Sequence, residues 1–240
     1  VQVAEDDPAY AGPDHSGLYC YGPSINPRPE VGTRVTVDGT VGEFFGQIQL
    51  TLRSVEVTGP AGAPPTPVEA APADVATGGT RAAVLEGVVV RVSDVTTLDV
   101  APAAGAGDST PINEFIVTGG LRINDFVHLL DPFPLVGDEF ASITGVLRFA
   151  NDHSKLEPRA DLDAVRRNIL PVLTAFEPPL AFLEIGEVAV PIPGLKVRLQ
   201  RPVDVDVFIE IETSDPLVAA IPDGGVWIPA GAVEADVWVE

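Results

Sequence analysis

The chain has no methionine, one cysteine (Cys20), three histidines and, among 14 basic residues, only two lysines, Lys155 and Lys196. A single cysteine excludes an internal disulfide, so packed cores alone must hold the fold. Its apolar runs are too short to span a bilayer, and no signal-peptide pattern is present. The lack of methionine even at position 1 points to a mature or excised piece rather than a complete cytoplasmic product. Positive charge is the scarcest commodity. Thirty-five acidic residues stand against 14 basic ones, a formal charge of −21. Nucleic-acid binders neutralise phosphates with clustered Lys and Arg, and a body this acidic repels a phosphate backbone. The same charge keeps an extracellular protein soluble and can gather divalent cations.

What is abundant is proline (24) and glycine (23) without a collagen period, in a chain that is 45% hydrophobic. That composition predicts many short elements joined by turns. Alternation of period two predicts strands at 17–22, 32–42, 47–57, 84–98, 114–118, 120–124 and 138–150. LDAVRRN at 162–168 reads as a short helical turn, and 101–111 as a flexible turn. The five prolines of 58–80 predict a linker or a crossover hugging the surface. After Pro171 the alternation becomes cleaner. Val205, Val207, Ile209 and Ile211 oppose Asp204, Asp206, Glu210 and Glu212, as in an antiparallel sheet with one wet face. The pattern runs up to Glu240, so both ends read as cut.

An internal repeat accounts for the opening. GLYCY at 17–21 and GLRIN at 120–124 begin 103 residues apart, VGTRVTVDGTV at 31 and VGDEFASITGVL at 136 are 105 apart, and Gly39 and Gly145 are 106 apart. The second copy carries a strand, EGVVVRVSDVTTLDV, ahead of its GLRIN; the matching strand of the first copy would precede Val1. Residues 1–3, VQV, then read as a strand entered part-way, with AEDDPAYAGPDHSG as the loop to GLYCYG.

These stretches, with SITGVL at 142–147 and KLEPR at 155–159, resemble the OB-fold modules of extracellular bacterial nucleases and surface proteins over about residues 1–165. Residues 171–240 resemble part of a bacterial Ig-like domain. The resemblance implies an all-β chain of tandem OB-like β-barrels, the first truncated at its N-terminus, plus a partial Ig-like β-sandwich. The domains are an incomplete OB-like unit at 1–60, a Pro/Ala-rich linker at 61–81, a second OB-like unit at 82–168 and the sandwich at 171–240. It implies no catalytic residues, because nuclease chemistry in such proteins resides in a separate domain. The expected function is a non-catalytic segment of a larger secreted or cell-surface bacterial protein, a scaffold, adhesive or binding module. Its partners would be flanking domains of the same polypeptide or an extracellular polymer or protein, with no membrane insertion. The rival is an accessory nucleic-acid-binding module of an extracellular nuclease.

Two candidate sites follow. Tyr19, Tyr21, Phe44 and Phe45 with Arg34 and Arg53 combine the aromatics and cations that single-strand binders stack on; core packing explains many of them equally well. Asp6, Asp7 and Asp14 supply the hard oxygen donors of a structural calcium site, although their spacing departs from a calcium loop. No other cofactor is expected. Cys20 alternates with Tyr19 and Tyr21 and reads as a small buried hydrophobe. His128 and His153 lack zinc spacing. Lys155, Arg159, Arg166 and Arg167 are expected to pair with Glu157, Asp161 and Asp163 rather than with phosphate.

Overall fold

The computed structural model describes residues 1–108, 110, 112–168, 173–177, 190–203, 205–215, 217 and 220–239. It is all-β with almost no helix and divides into two compact units, Val1–Asn168 and Ile169–Glu240. Among the described residues no helix is long and apolar enough to cross a membrane.

The first unit contains β1 (Tyr19–Tyr21), β2 (Thr33–Phe44), β3 (Gln47–Ala61), β4 (Val68–Glu69), β5 (Val89–Asp99), β6 (Phe115–Val117), β7 (Leu121–Ile123), β8 (Glu139–Ala150), β9 (His153–Glu157) and β10 (Ala164–Asn168). Five of these close a barrel in the order β5-β6-β7-β9-β8 and back to β5. Its third and fifth strands, β7 and β9, pair in parallel and the others antiparallel. Closure follows from how β5 is used: its first part, from Val89 to Thr96, pairs with β8, and Thr97 and Asp99 turn to β6. The alternating Val88, Val90 and Val92 point inward and are fully buried with Phe140, Ile143 and Leu156. Burying each such side chain contributes about 1.5–3 kcal/mol.

Two expectations change here. The Pro/Ala-rich stretch is packed rather than loose: β4 adds to β5, and a one-turn helix, α1 (Pro72–Val75), puts Val75 into the barrel core. Residues 162–168 are a helical turn only at their start. A 3-10 turn at Asp161–Asp163 leads into β10, which pairs with the outer edge of β8 from Ala164 opposite Ile143 onward. That edge is available because the barrel uses only part of β8 on each side.

The N-terminal strands form a separate sheet, β1-β3-β2. β2 and β3 make a hairpin whose register equals that of β8 and β9 at a constant offset of 106. Val41 faces Leu50 as Leu147 faces Leu156, and Phe44 faces Gln47 as Ala150 faces His153. Both hairpins turn on two positive-φ residues, Phe45 and Gly46 in one and Asn151 and Asp152 in the other, the geometry that matches strand twist. β1 lies parallel to β3, Tyr19 opposite Gln49, as β7 lies parallel to β9, Arg122 opposite Lys155. Residues 1–3 run antiparallel to 16–18 through a bridge between Gln2 and Gly17.

The second unit contains β11 (Leu173–Glu177), β12 (Val190–Leu199), β13 (Val207–Glu210), β14 (Gly225–Ile228) and β15 (Glu234–Val239). Its sheets, β11-β12-β15 and β13-β14, share one core of Leu195, Val197, Leu199, Ile228, Val237 and Val239. The PDGG turn folds as expected, with Asp223 and Gly224 at positive φ. Glu240 lies outside the described residues.

Candidate functional site

The expected stacking residues do not converge. Arg34 and Phe44 sit at opposite ends of β2, roughly 30 Å apart along an extended strand. Arg34 is bound by the Asp6 carboxylate, which holds that acid below its usual range, and Arg53 Nε lies 3.0 Å from Asp38. Phe44 packs edge-on against Phe45 at 4.7 Å, Tyr21 is exposed, and Tyr19 turns toward Phe126 with ring centroids 6.2 Å apart. The acidic loop is likewise divided. Asp6 engages Arg34, Asp7 accepts from the Ala9 N–H at 2.8 Å, and Asp14 lies 3.1 Å from Arg81. Among the described residues no group of three or more His, Cys, Asp or Glu side chains could hold a metal ion.

What the structure assembles instead is a cleft of about 200 Å³ between the N-terminal sheet and the barrel wall. Its organising residue is Arg148 on β8. The guanidinium carbon sits 3.9 Å from the Phe126 ring centre and 5.3 Å from that of Tyr19. Its Nε donates to Gln47 Oε1 at 3.2 Å, and Glu157 Oε1 lies 3.7 Å from the guanidinium. A cation over aromatic faces in a part-buried setting contributes about 0.5–2 kcal/mol. Val1, Leu18 and Cys20 supply apolar wall. Burial pushes the Cys20 thiol up, which makes it a poor nucleophile at neutral pH. The arrangement suits binding of a small group with an apolar face and one polar contact.

Glu157 closes the cleft from below. Its side chain is buried and accepts from Asn124 Nδ2 at 3.0 Å and from the Phe126 N–H at 3.2 Å. Burial still dominates and raises its pKa, as it does for Glu86 nearby. The folded state therefore holds these protons above the ordinary 4.5. The resulting stabilisation is complete below that value and is lost as pH rises through the raised folded pKa. Glu157→Gln cannot ionise. Its stability deficit relative to the parent is expected to shrink as pH rises from about 5 to 8. Urea midpoints of both chains across that range check this, and a constant deficit would remove the assignment.

Compared with known proteins, the chain matches no family model, no curated protein and no solved structure.

A second polar cluster lies on the outer face of β7 and β9, beneath the loop that joins β5 to β6. Lys155, 1% exposed, donates to Glu114 and lies 3.2 Å from Asp108, while Arg122 reaches Glu114 at 2.7 Å and the Ala103 carbonyl at 2.9 Å. Beside them, burial and the cations of Arg122 and Lys155 lower the His153 pKa. The other expected basic residues are also paired: Arg159 with Asp163, Arg166 with Asp138 and Arg167 with Asp94. Only the Arg159 partner is among those expected from sequence proximity. Arg148 and the cleft have no signal in the sequence, because a lone arginine on a strand matches no motif.

Proposed function

We propose that the chain is a non-catalytic segment of a larger secreted or cell-surface bacterial protein, serving as a scaffold or adhesive and binding module. Its architecture is read as two OB-like barrels in tandem, the first incomplete, followed by part of an Ig-like sandwich. The observation that carries this reading is the shared register of β2–β3 and β8–β9, with β1 and β7 placed alike beside them. The closed five-stranded barrel supports the OB-like reading, and loops and outer faces of OB barrels serve as binding surfaces. Two small sheets about one core support the sandwich. The neutralised cations and the charge of −21 favour a ligand other than a polyanion.

The test is protein-observed NMR of the labelled chain with neutral oligosaccharides and short peptides as probes. Binders are expected to shift Tyr19, Phe126 and Arg148 resonances and to lose affinity in Arg148→Ala. A chain inert to the whole set that hydrolyses nuclease or glycosidase substrates would replace this reading with an enzyme. The nucleic-acid alternative is tested separately. At low salt, single-stranded DNA is expected to show no gel shift; a shift that falls steeply with salt and disappears in Arg53→Ala would favour the accessory module. Calcium at Asp6, Asp7 and Asp14 would raise the melting temperature, and Asp6→Asn with Asp7→Asn would abolish the rise.

A further inference from the structure

We propose that the β1-β3-β2 sheet is the acceptor for a β-hairpin from outside these 240 residues, which closes it into a five-stranded barrel like β5–β9. The inference rests on the tandem-barrel reading and deepens it by naming what the sheet binds. Among the described residues, no strand pairs with the outer edge of β2, and beside β1 only residues 1–3 run along the preceding residues 16–18, stopping short of Tyr19–Tyr21. In the closed barrel the corresponding edges, those of β8 and β7, are covered by β5 and β6. The consequence shows at one pair of equivalent positions: Leu147 is 1% exposed and Val41 is 67% exposed. Val57 and Tyr21 are exposed on the same sheet.

The backbone specifies the docking register. The Leu147 N–H donates to the Val88 carbonyl, and its own carbonyl accepts from the Gly87 N–H, so both groups point away from β9. Val41 holds the same place opposite Leu50. Its N–H and C=O therefore face the open edge, ready for a strand in the manner of β-augmentation. Val90 lies opposite Gly145, and a Cβ on that glycine would fall 2.6 Å from the Glu157 carbonyl oxygen. Gly39 repeats this geometry, its Cβ position 2.3 Å from the Thr51 carbonyl oxygen. The incoming strand thus carries a branched aliphatic residue opposite Gly39, as β5 carries Val90.

The occupant has the chemistry of β5 and β6: a long strand with alternating aliphatics, then a short one, running antiparallel to β2 and β1 respectively. A second copy of this chain is a poor occupant. Its own β5 and β6 are engaged in its barrel, and two bodies of charge −21 repel one another.

The experiment adds a synthetic peptide of residues 84–118 to the full chain and follows amide hydrogen exchange by NMR. The expected result is about tenfold slower exchange at Val37, Gly39 and Val41, with no change for a scrambled peptide. Val41→Asp, at a site open to solvent, is expected to keep the fold and to lose the protection. No protection at millimolar peptide overturns the proposal, as does self-association of the chain that protects these amides without peptide. If the peptide fails while probes still bind at Arg148, the binding-module reading survives and only the hairpin acceptor falls.

Discussion

Lys155→Met is expected to destabilise the first unit by about 3–5 kcal/mol, the usual cost of leaving one member of a buried ion cluster uncompensated. Lys155 and Arg122 balance Glu114 and Asp108 beneath the β5–β6 loop, and both Lys155 and Glu114 are about 1% exposed. Removing the ammonium leaves the two carboxylates with only the Arg122 guanidinium to offset them, in a site largely closed to water. For a unit of this size the loss corresponds to a fall in melting temperature of roughly 10 °C. The double variant Lys155→Met with Glu114→Gln restores neutrality and keeps an acceptor for Arg122, so it should regain more than half of the loss. Both tryptophans, Trp227 and Trp238, belong to the second unit and all three tyrosines to the first, so tyrosine emission reports the first while tryptophan emission serves as the internal reference. Additive losses in the double variant would show that Lys155 acts by packing rather than by charge.

The physics that hid this cluster is the physics that makes it effective. Its acids lie 41 and 47 residues from Lys155, in or beside a loop that reads as a flexible turn. Sequence proximity favours Glu157, Asp161 and Asp163 instead; Glu157 shares a strand face with Lys155, yet its carboxylate is taken by Asn124 and lies 3.7 Å from Arg148. Arg148 is equally invisible, since Gln47 is 101 residues away. By contrast, β13 was legible because its exposure alternates along the strand, and β5 because Val90 and Val92 face the core in turn. The spacing of the repeat was legible because glycines at turns and crossings recur at fixed places. The packed role of Val75 was not, since a one-turn helix is too short to display a period. The expected stacking residues stay apart for a geometric reason: they are spread over β1, the two ends of β2, the turn after it and β3.

Gly17→Ala is expected to cost about 3 kcal/mol, the upper end of what overpacking imposes, because the obstacle is backbone and cannot rotate away. A Cβ at position 17 would lie 2.2 Å from the Gly87 carbonyl carbon and 2.5 Å from the Val88 nitrogen. Gly87 meets the contact at φ +77°, a conformation that disfavours any side chain. This glycine pair lets the N-terminal segment lie directly on the barrel. There the His15 N–H donates to the Val84 carbonyl at 2.7 Å and the Val89 N–H to Gln2 Oε1 at 3.1 Å. Forcing the two backbones apart breaks those bonds and opens the cleft around Arg148 while the barrel keeps its own closure. The expected signature is early proteolysis within residues 1–61 with the barrel fragment still resistant. Gly42→Ala is the control: no atom lies within 4 Å of its Cβ position, and its effect should stay within about 0.5 kcal/mol. Equal melting temperatures for the Gly17 and Gly42 variants would mean that the N-terminal sheet is not seated on the barrel through this contact, and the cleft would lose one of its walls.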